Sequence, residues 1–357
     1  MDLHLEVRWR IGGSDAKDIE PMLFELLEAI EQGGSIRVAA TRCRVSYRYA
    51  WGLVQGWGRL LGAPLCVLER GRGARLTALG EGLLWGRRRI TASLSPTLEG
   101  LASNLCAELR AATALPADPP LRIFASHGLA ISALRDLMRA RGGVVLDLQF
   151  RGSLESLRLL HAGRCDLAGF HIAGGPLGQR LAPRYQRWLR PEAQVLIHVV
   201  HRQQGLITAR QPPRPIRSLR DLAAGPLRFV NRQAGSGTRL LFDALIEEAG
   251  VRPEEIQGYD TEEFTHLAVA AFIASGAADC GFGIQAAAHQ FGLPFLPVTR
   301  ERYWFALARD ALASPAVAEL IALLKSPLFR EHAAGLPGYD ARESGTLLPV
   351  DSLVRGD

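Results

Sequence analysis

The chain has 357 residues, of which 48% are hydrophobic and 22% are charged. These values are typical of a soluble globular protein with two or three domains, and they exclude a disordered chain or a long coiled coil. No run of about 18 apolar residues could span a bilayer, so we expect a cytoplasmic protein without a membrane partner. The five cysteines are scattered without a CxxC pair, which argues against a disulfide framework or a zinc finger.

The formal net charge is only +6, but it is unevenly distributed along the chain. Residues 1–34 carry a net charge of −5, whereas residues 35–90 hold eleven arginines against two glutamates, a net charge of +9. Such a segment fits a surface that neutralises phosphates, and a solvated basic face is the alternative.

Three helices are predicted in this part of the chain. Residues 21–31 repeat Leu23, Leu26, Leu27 and Ile30 on one helical face and end before Gly33-Gly34. Ser35 is placed to cap a second helix, and Ser46 a third helix whose inward residues are predicted to be Tyr49, Leu53, Trp57 and Leu60 or Leu61. Two helices joined by a tight turn at Arg44-Val45 indicate a helix-turn-helix, with the third helix suited to the DNA major groove.

The segment PLCVLERGRGARLTALGEGLL predicts a strand, a glycine-rich turn, a second strand and the start of a helix, which together form a wing. The string GSIRVAATRCRVSYRYAW and this wing resemble the amino-terminal domain of ModE-type molybdate-responsive regulators and, more loosely, the LysR family. The resemblance implies that the third helix reads bases of operator DNA. The candidate DNA-binding residues are Ser35, Arg37, Arg44, Ser46, Tyr47, Arg48, Trp51, Arg70, Arg72 and Arg75.

A connecting helix is predicted after the wing, with Leu94, Leu98, Leu101, Leu105 and Leu109 on one stripe. In a LysR-like architecture the same helix of a second subunit covers this stripe and forms a homodimer, from which a tetramer could assemble. Packing on the chain's own domains is the alternative. Pro96 is expected to kink or break the helix.

From Leu121 onward, short apolar runs alternate with helical segments, which predicts an α/β domain with mostly parallel strands. The predicted domains are a winged helix-turn-helix at 1–84, a linker helix at 85–120 and a two-lobed effector domain at 121–357. Lobe I is expected at about 121–198 and 303–350, and lobe II at about 199–302.

Three predicted strands end in similar turns before a helix. The turns are Ser126-His127-Gly128, Arg151-Gly152-Ser153 and the segment from Arg232 to Arg239 that contains Gly-Ser-Gly-Thr. Hydroxyl groups and backbone N–H groups at helix starts can hold an anion, although a serine there is more often only a helix cap. The repetition of the pattern favours one shared anion site.

This region resembles the periplasmic-binding-protein-like domains that follow ModE-like DNA-binding domains, in strings such as FVNRQAGSGTRLLFD and GYDTEEFTHLAVAAFIASGAADCGFGIQAAA. The resemblance implies a type II binding-protein fold whose cleft binds molybdate, tungstate or another small anion, and a planar carboxylate such as formate could use the same donors. The candidate effector-binding residues are Ser126, His127, Ser153, His171, Arg202, Arg232, Ser236, Gly237, Thr238, Arg239, Thr265 and His266.

The sequence therefore predicts a one-component transcription regulator without enzymatic activity or a bound metal. An enzyme of the dehydratase or deaminase type on the same fold is the main alternative, and a DNA-binding protein without an effector is another. His198 and His201 lie three residues apart on a predicted strand, so they are expected to point to opposite faces and to make a poor metal pair.

Overall fold

The computed structural model describes residues 3–12, 16–69, 73–112 and 119–353. The chain divides into two compact units, residues 6–92 and residues 93–357, the latter together with residues 1–5. Within the described residues, no helix is both long and apolar enough to cross a membrane.

The smaller unit consists of helices and two short hairpins. Its elements are β1 (Arg10–Ile11), β2 (Lys17–Asp18), α1 (Pro21–Gly33), α2 (Ile36–Arg42), α3 (Tyr47–Leu60), β3 (Cys66–Glu69), β4 (Gly73–Leu76) and the first part of α4 (Ala78–Ala112). Strands β1 and β2 pair antiparallel, as do β3 and β4. The helices and the second hairpin follow the order that the sequence predicts.

Local sequence explains the helix boundaries in this unit. Helix α1 ends where Gly34 adopts the left-handed conformation, with φ at 61°. Arg44, in the turn between α2 and α3, has φ at 57°, an uncommon value for a residue with a side chain. The Ser46 hydroxyl accepts a hydrogen bond from the Tyr49 backbone N–H at 3.1 Å and caps α3, whereas Ser35 precedes α2 without a side-chain cap.

The predicted inward face of α3 is partly wrong. Its buried residues are Ala50, Val54, Trp57 and Gly58, while Tyr49 and Leu60 are exposed. The buried face is rotated relative to the predicted one because the small residues Ala50 and Gly58 permit close packing. A prediction that places only large apolar residues inside overlooks such positions. Trp57 is held from outside α3 as well, since its Nε1–H donates to the Glu20 carboxylate at 2.6 Å.

Helix α4 continues through Pro96 from residue 78 to residue 112, so a break at the proline is wrong, while a kink there stays a prediction. Polar contacts hold the turns on both sides of the proline. The Ser93 hydroxyl donates to the Glu263 carboxylate at 2.8 Å, and Arg135 donates to the Glu99 carboxylate. Further along, the Ser103 hydroxyl donates to the Asp147 carboxylate at 2.8 Å.

The leucine stripe of α4 is not on the face that makes these contacts. Leu94, Leu101, Leu105 and Leu109 are exposed, whereas Ala102 and Cys106 are buried. Leu98 is half-buried, so the chain's own domains leave most of the predicted stripe uncovered but not all of it.

The larger unit is built on one extended sheet with helices. Its further elements are β5 (Leu121–Ala125), α5 (Leu129–Arg141), β6 (Leu146–Phe150), α6 (Ser153–His161), β7 (Leu167–Ala173), α7 (Gly175–Gln186), β8 (Gln194–Thr208), β9 (Phe229–Arg232), α8 (Gly237–Glu248), β10 (Glu262–Glu263), α9 (His266–Ala274), β11 (Cys280–Ile284), α10 (Gln285–Gln290), β12 (Phe295–Ala308), α11 (Pro315–Lys325), α12 (Pro327–Ala334), β13 (Tyr339–Asp340) and β14 (Leu347–Pro349).

The strand order is β10-β9-β11-β8-β12-β7-β5-β6, and β13 and β14 also pair with β8. The expectation of mostly parallel strands is wrong, because β8 pairs antiparallel with both β11 and β12, and β12 pairs antiparallel with β7. In the part of the chain that the structure describes, parallel pairing is confined to β5 with β6 and β7, and to β9 with β10 and β11. The sequence predicts separate strands for the runs VLIHVVH at 195–201 and GLIT at 205–208, but both lie in the single strand β8.

Two long strands therefore join two groups of parallel strands. The helices that cover the sheet bury several apolar clusters. Among the described residues, the largest fully buried side chain is Trp304 on β12. Each parallel group places the carboxyl ends of its strands, and the helix starts that follow them, toward one cavity.

Candidate functional site

A cavity of about 640 Å³ lies in the larger unit. Its wall includes the turns that follow β5, β6 and β9, and also part of α4 through residues such as Ser93, Thr97 and Asn104. Its volume is in the usual range for small-molecule sites, roughly 300–1,000 Å³.

The structure brings seven of the twelve predicted effector residues to the cavity wall. They are Ser126, His127, His171, Arg232, Ser236, Gly237 and Thr265. They come from three strand-to-helix connections and from β7. Because Arg151 and Gly152 also line the wall, the three predicted turns do face one space. That these residues bind an effector stays a prediction.

Two of the turns are in contact. A Cβ atom at Gly152, before α6, would lie 2.9 Å from the carbonyl oxygen of Gly235, before α8. Only a residue without a side chain fits this approach, because real Cβ atoms essentially never come so close to a backbone oxygen. The amino termini of α6 and α8, whose first N–H groups lack partners within their helices, are thereby held side by side.

The other five predicted residues lie outside the cavity wall. Ser153, Arg202, Thr238 and His266 are buried behind it, and Thr238 accepts a hydrogen bond from Gln204 at 3.3 Å. Arg239 is engaged elsewhere: it donates to Asp243 at 3.0 Å and Glu262 at 3.2 Å, and its guanidinium lies 4.0 Å from the Tyr259 ring centroid. The arginine therefore stabilises the start of α8, and its placement does not support contact with a ligand.

A buried glutamate, which the sequence analysis did not select, organises the polar groups behind the wall. Glu301 on β12 accepts hydrogen bonds from Arg202 and, at 2.9 Å, from Gln204. Its carboxylate also pairs with Nδ1 of His171 at 2.7 Å. Burial alone would raise the pKa of Glu301, but the charge of Arg202 and the His171 bond outweigh it and lower the pKa to about 2. Strand alternation could have pointed to this residue, since Glu301 shares a face with Tyr303 and Phe305.

Arg232 gives this region a surplus of positive charge. It is 4% exposed and donates to the Gln233 side chain at 3.1 Å and to the Phe264 carbonyl at 2.9 Å, both uncharged acceptors. Burial, and then the charge of Arg202, lower the pKa of Arg232 to about 9. Arg202 pairs with Glu301, whereas the two acceptors of Arg232 are uncharged, and an anion in the cavity would offer Arg232 a charged partner.

Several buried polar atoms lack a hydrogen-bond partner among the described residues: Nδ1 of His127, Oγ of Ser153, both terminal nitrogens of Arg202 and both ring nitrogens of His266. Arg202 lies near enough to Tyr339 to lower the pKa of its hydroxyl, but the hydroxyl and the terminal nitrogens of Arg202 do not meet hydrogen-bond geometry. Burying polar groups without partners is costly, so such a concentration beside a cavity is typical of a binding site.

The three histidines of this region are held in the neutral form. Burial, reinforced by Arg232 and Arg202, lowers the pKa of His127 to about 3. The same causes lower the pKa of His266 well below its ordinary value, and burial also lowers the pKa of His171 despite the opposing charge of Glu301. Each neutral imidazole has one N–H donor and one acceptor, so the fixed positive charge is carried by arginine alone.

The prediction that His198 and His201 point to opposite faces is wrong. Their ring centroids are 4.5 Å apart. The pairing of β8 with β12 is irregular here, since Val200 lies opposite Tyr303 while His198 lies opposite Trp304, which leaves Val199 as an extra residue. A β-bulge of this kind shifts the alternation by one residue, so positions three apart share a face.

Most of the predicted DNA-binding residues in the smaller unit are exposed. Arg37, Arg44, Ser46, Tyr47, Arg48 and Arg75 are exposed, and Ser35 and Trp51 are half-buried. Arg37 lies 5.8 Å from the Tyr47 ring centroid, and Arg75 donates to Glu69 at 3.1 Å. Arg70 and Arg72, predicted at the tip of the wing, lie outside the described residues.

A family model described as the PBP superfamily domain matches residues 134–325, more than half of the chain. The chain belongs to the PBP superfamily. The two-lobed α/β architecture expected from the sequence is the PBP-like fold, and the matched range includes β6 to β12 and the strand-end turns at Arg151 and Arg232.

The "Uncharacterized protein YvgK" of Bacillus subtilis (strain 168) is 34% identical over 201 residues, which are 56% of this chain and 64% of that protein. The PBP-like chain thus spans less than two thirds of this relative. Among solved structures, the Corynebacterium glutamicum OxyR C206 mutant has a TM-score of 0.44 at 15% identity. The superposition covers 88% of this chain and 93% of the OxyR chain.

CbnR, described as a LysR family transcriptional regulator, has a TM-score of 0.40 at 17% identity over 85% of this chain and 99% of its own. At these scores the two likenesses carry no conclusion about what the PBP-like chain binds.

Proposed function

We propose that this PBP-like protein is a DNA-binding transcriptional regulator that senses a small anion. The observation that carries the proposal is the buried Arg232, whose acceptors are the uncharged Gln233 side chain and Phe264 carbonyl, in the wall of a cavity of about 640 Å³. A buried charge without a partner is costly, and an anionic ligand supplies the missing partner.

The donors around the cavity fit an oxyanion or a carboxylate. The hydroxyl-bearing residues Ser126, Ser236 and Thr265 line it, and α8 begins at Gly237 in its wall. Helix amino termini favour anions through their free N–H groups and their dipole. Molybdate, tungstate and formate are the candidates that we propose. Each of them is much smaller than the cavity, so we infer that the lobes close around the ligand, as hinge-type binding domains do.

The smaller unit is the proposed DNA reader. Helix α2, the turn at Arg44 and helix α3 form the proposed helix-turn-helix, and the hairpin of β3 and β4 forms the wing. Arg44 and Arg48 are exposed at the turn and the first turn of α3. Arginine at this place can bind phosphates or guanine edges in the major groove.

Helix α4 is proposed to transmit the effect of anion binding to the DNA-binding helices. Residues 93–104 of this helix line part of the cavity, and the same helix begins at Ala78, directly after the hairpin. It contacts both groups of strands, through Ser93 to Glu263 on β10 and through Ser103 to Asp147 on β6. Lobe closure would therefore displace α4 relative to at least one of these contacts.

The exposed leucine stripe of α4 supports a homodimer, or a tetramer formed from dimers. A row of exposed apolar side chains on a helix is costly in water and is typically covered by a partner. Because operators commonly carry two half-sites, a dimer also provides the two DNA readers that such a site needs.

A thermal-shift panel tests the proposal. The purified chain is heated with molybdate, tungstate, formate, sulfate or phosphate, and the same panel is applied to Arg232→Gln. A ligand at 100 times its Kd stabilises the native state by about 2.7 kcal/mol. We expect one anion to raise the Tm of the wild type but not of the variant. If no anion in the panel raises the Tm, or if the variant responds equally, the anion-sensing proposal is wrong.

A further inference from the structure

A second group of candidate ligands lies outside the cavity wall. His198 and His201 on β8 approach Glu343, in the segment between β13 and β14, so that one ligand atom of each lies within 4.8 Å of the others. The Nε2 atom of His201 is 3.3 Å from Oε2 of Glu343. The proposed anion sensor makes no use of these three side chains.

The β-bulge at Val199 creates this arrangement. In a regular strand, residues three apart point to opposite faces, and His198 and His201 would not meet. A bulge re-aims side chains and interrupts pairing, and it places both imidazoles on the face that Glu343 approaches. The backbone holds Glu343 there, since the Gly345 N–H donates to the His198 carbonyl at 2.8 Å and the His198 N–H donates to the Thr346 carbonyl at 2.9 Å.

His198 is a buried imidazole with an unusual lack of partners. It is 1% exposed, and neither ring nitrogen meets a hydrogen-bond partner among the described residues, although the Glu343 backbone lies near enough to affect its pKa. The Trp304 ring packs against it at 5.0 Å between centroids. Because a buried neutral imidazole normally pairs at least one nitrogen, His198 has a donor or acceptor position to fill.

The cluster is also open to solvent on one side. The His201 side chain is 14% exposed and the Glu343 side chain 68% exposed, so an ion could enter without disrupting the fold. The nearby carboxylate of Asp340 is bound by Arg342, at 3.0 Å from Nε, and is left out of the ligand set.

We propose that His198, His201 and Glu343 bind one divalent transition-metal ion, with Zn²⁺ as the model ion. Two imidazoles and one carboxylate are a ligand set that Zn²⁺, Co²⁺ and Ni²⁺ accept, whereas Mg²⁺ and Ca²⁺ prefer oxygen ligands throughout. Three protein ligands leave a coordination position for water. The bound ion joins the segment between β13 and β14 to strand β8.

The test uses full-length protein without a histidine tag, treated with a chelator and then dialysed. Co²⁺ is titrated while its visible absorption is recorded, and Zn²⁺ is titrated by calorimetry. The variants are His201→Gln and Glu343→Gln, which change accessible side chains and so spare the core around His198. His289→Gln, an exposed histidine on α10, is the matched control, and Cys43→Ser controls for the half-buried thiol.

We expect one ion per chain, a Co²⁺ spectrum with nitrogen ligands, and an increase in Tm with Zn²⁺. Both ligand variants should weaken Zn²⁺ binding by about tenfold or more, and the two controls should bind as the wild type does. The proposal is overturned if the wild type binds no ion, if His201→Gln retains wild-type affinity, or if a control variant loses binding to the same extent.

Discussion

Gly237 lies directly against Ser153. A Cβ atom at Gly237 would be 2.8 Å from Oγ of Ser153 and 2.8 Å from Cε1 of His171. These two residues, from the starts of α8 and α6, are 84 positions apart in the sequence. The contact joins the two groups of strands at the cavity wall, and it leaves no room for even a methyl group.

Substituting Gly237→Ala should therefore abolish the response to anions. The added methyl group would push apart the two helix starts that are proposed to hold the ligand. The expected result is that the active anion no longer raises the Tm of the variant. In the wild type, the same anion at 100 times its Kd should stabilise the native state by about 2.7 kcal/mol. Gly56→Ala is the control, because a Cβ at Gly56 in α3 meets nothing within 4 Å. The control should keep the anion response and gain about 1 kcal/mol of stability from its helix propensity.

Replacing Glu301 by glutamine should strongly destabilise the larger unit. The change leaves Arg202 buried without its carboxylate, which typically costs about 3–5 kcal/mol. Urea unfolding measures the loss. Glu248→Gln removes the exposed pair with Arg180, whose side chains are 46% and 45% exposed, and should cost less than about 1 kcal/mol. Equal losses for the two variants would contradict the assignment of Glu301 as the central partner.

Stability should fall as the pH drops below about 6.5. His127 has its pKa lowered to about 3, so the unfolded chain binds a proton in this range that the folded chain does not. The stabilising contribution is complete above the unfolded pKa of 6.5 and is lost as the pH falls toward 3, by at most about 1.4 kcal/mol per pH unit. Glu301 causes a further loss of stability as the pH falls from 4.5, its unfolded pKa, to about 2, its folded pKa, because the unfolded chain binds a proton there that the folded chain does not.

Urea unfolding at pH 7.5 and pH 5 measures this dependence. His127→Gln should lose less stability than the wild type between the two values, because glutamine cannot take up the proton. A wild type that is more stable at the lower pH would show that the sign is wrong.

Arg48→Ala should weaken DNA binding without affecting the anion response. If Arg48 contacts a base edge or a phosphate, its loss should cost about 1–3 kcal/mol of binding free energy. Fluorescence anisotropy, on a duplex selected from random sequences with the wild-type protein, measures the change. Arg141→Ala, the same loss of charge at the end of α5, is the control. Unchanged affinity for Arg48→Ala would contradict the proposed orientation of α3.

Leu105→Glu should disrupt the proposed dimer. Leu105 is 40% exposed on the leucine stripe, and a buried carboxylate in a dimer interface would be unfavourable. Light scattering coupled to size-exclusion chromatography should show a smaller assembly than the wild type. Leu347→Glu, at a leucine 41% exposed on β14, should leave the assembly unchanged. A wild type that is monomeric would itself rule out the dimer.

Local patterns in the sequence were sufficient for several of the elements and for part of the candidate site. Apolar residues at helical spacing predicted α1, and the capping serine at position 46 predicted the start of α3. The strand-to-helix turns at Ser126 and Ser236 were recognisable because serine and glycine at helix starts have local causes. Their position on one cavity followed from the fold class, in which strand ends lie together.

Other features depended on contacts between distant segments, and only the tertiary structure decided them. Arg239 is turned toward Asp243 and Glu262 because these carboxylates are within reach, and Glu301 is the partner of Arg202 because β12 pairs with β8. The bulge at Val199 reversed the predicted faces of His198 and His201, since one extra residue in a strand changes every orientation beyond it. The sequence thus determined where elements begin and which residues end the strands, while long-range pairing determined which side chains meet.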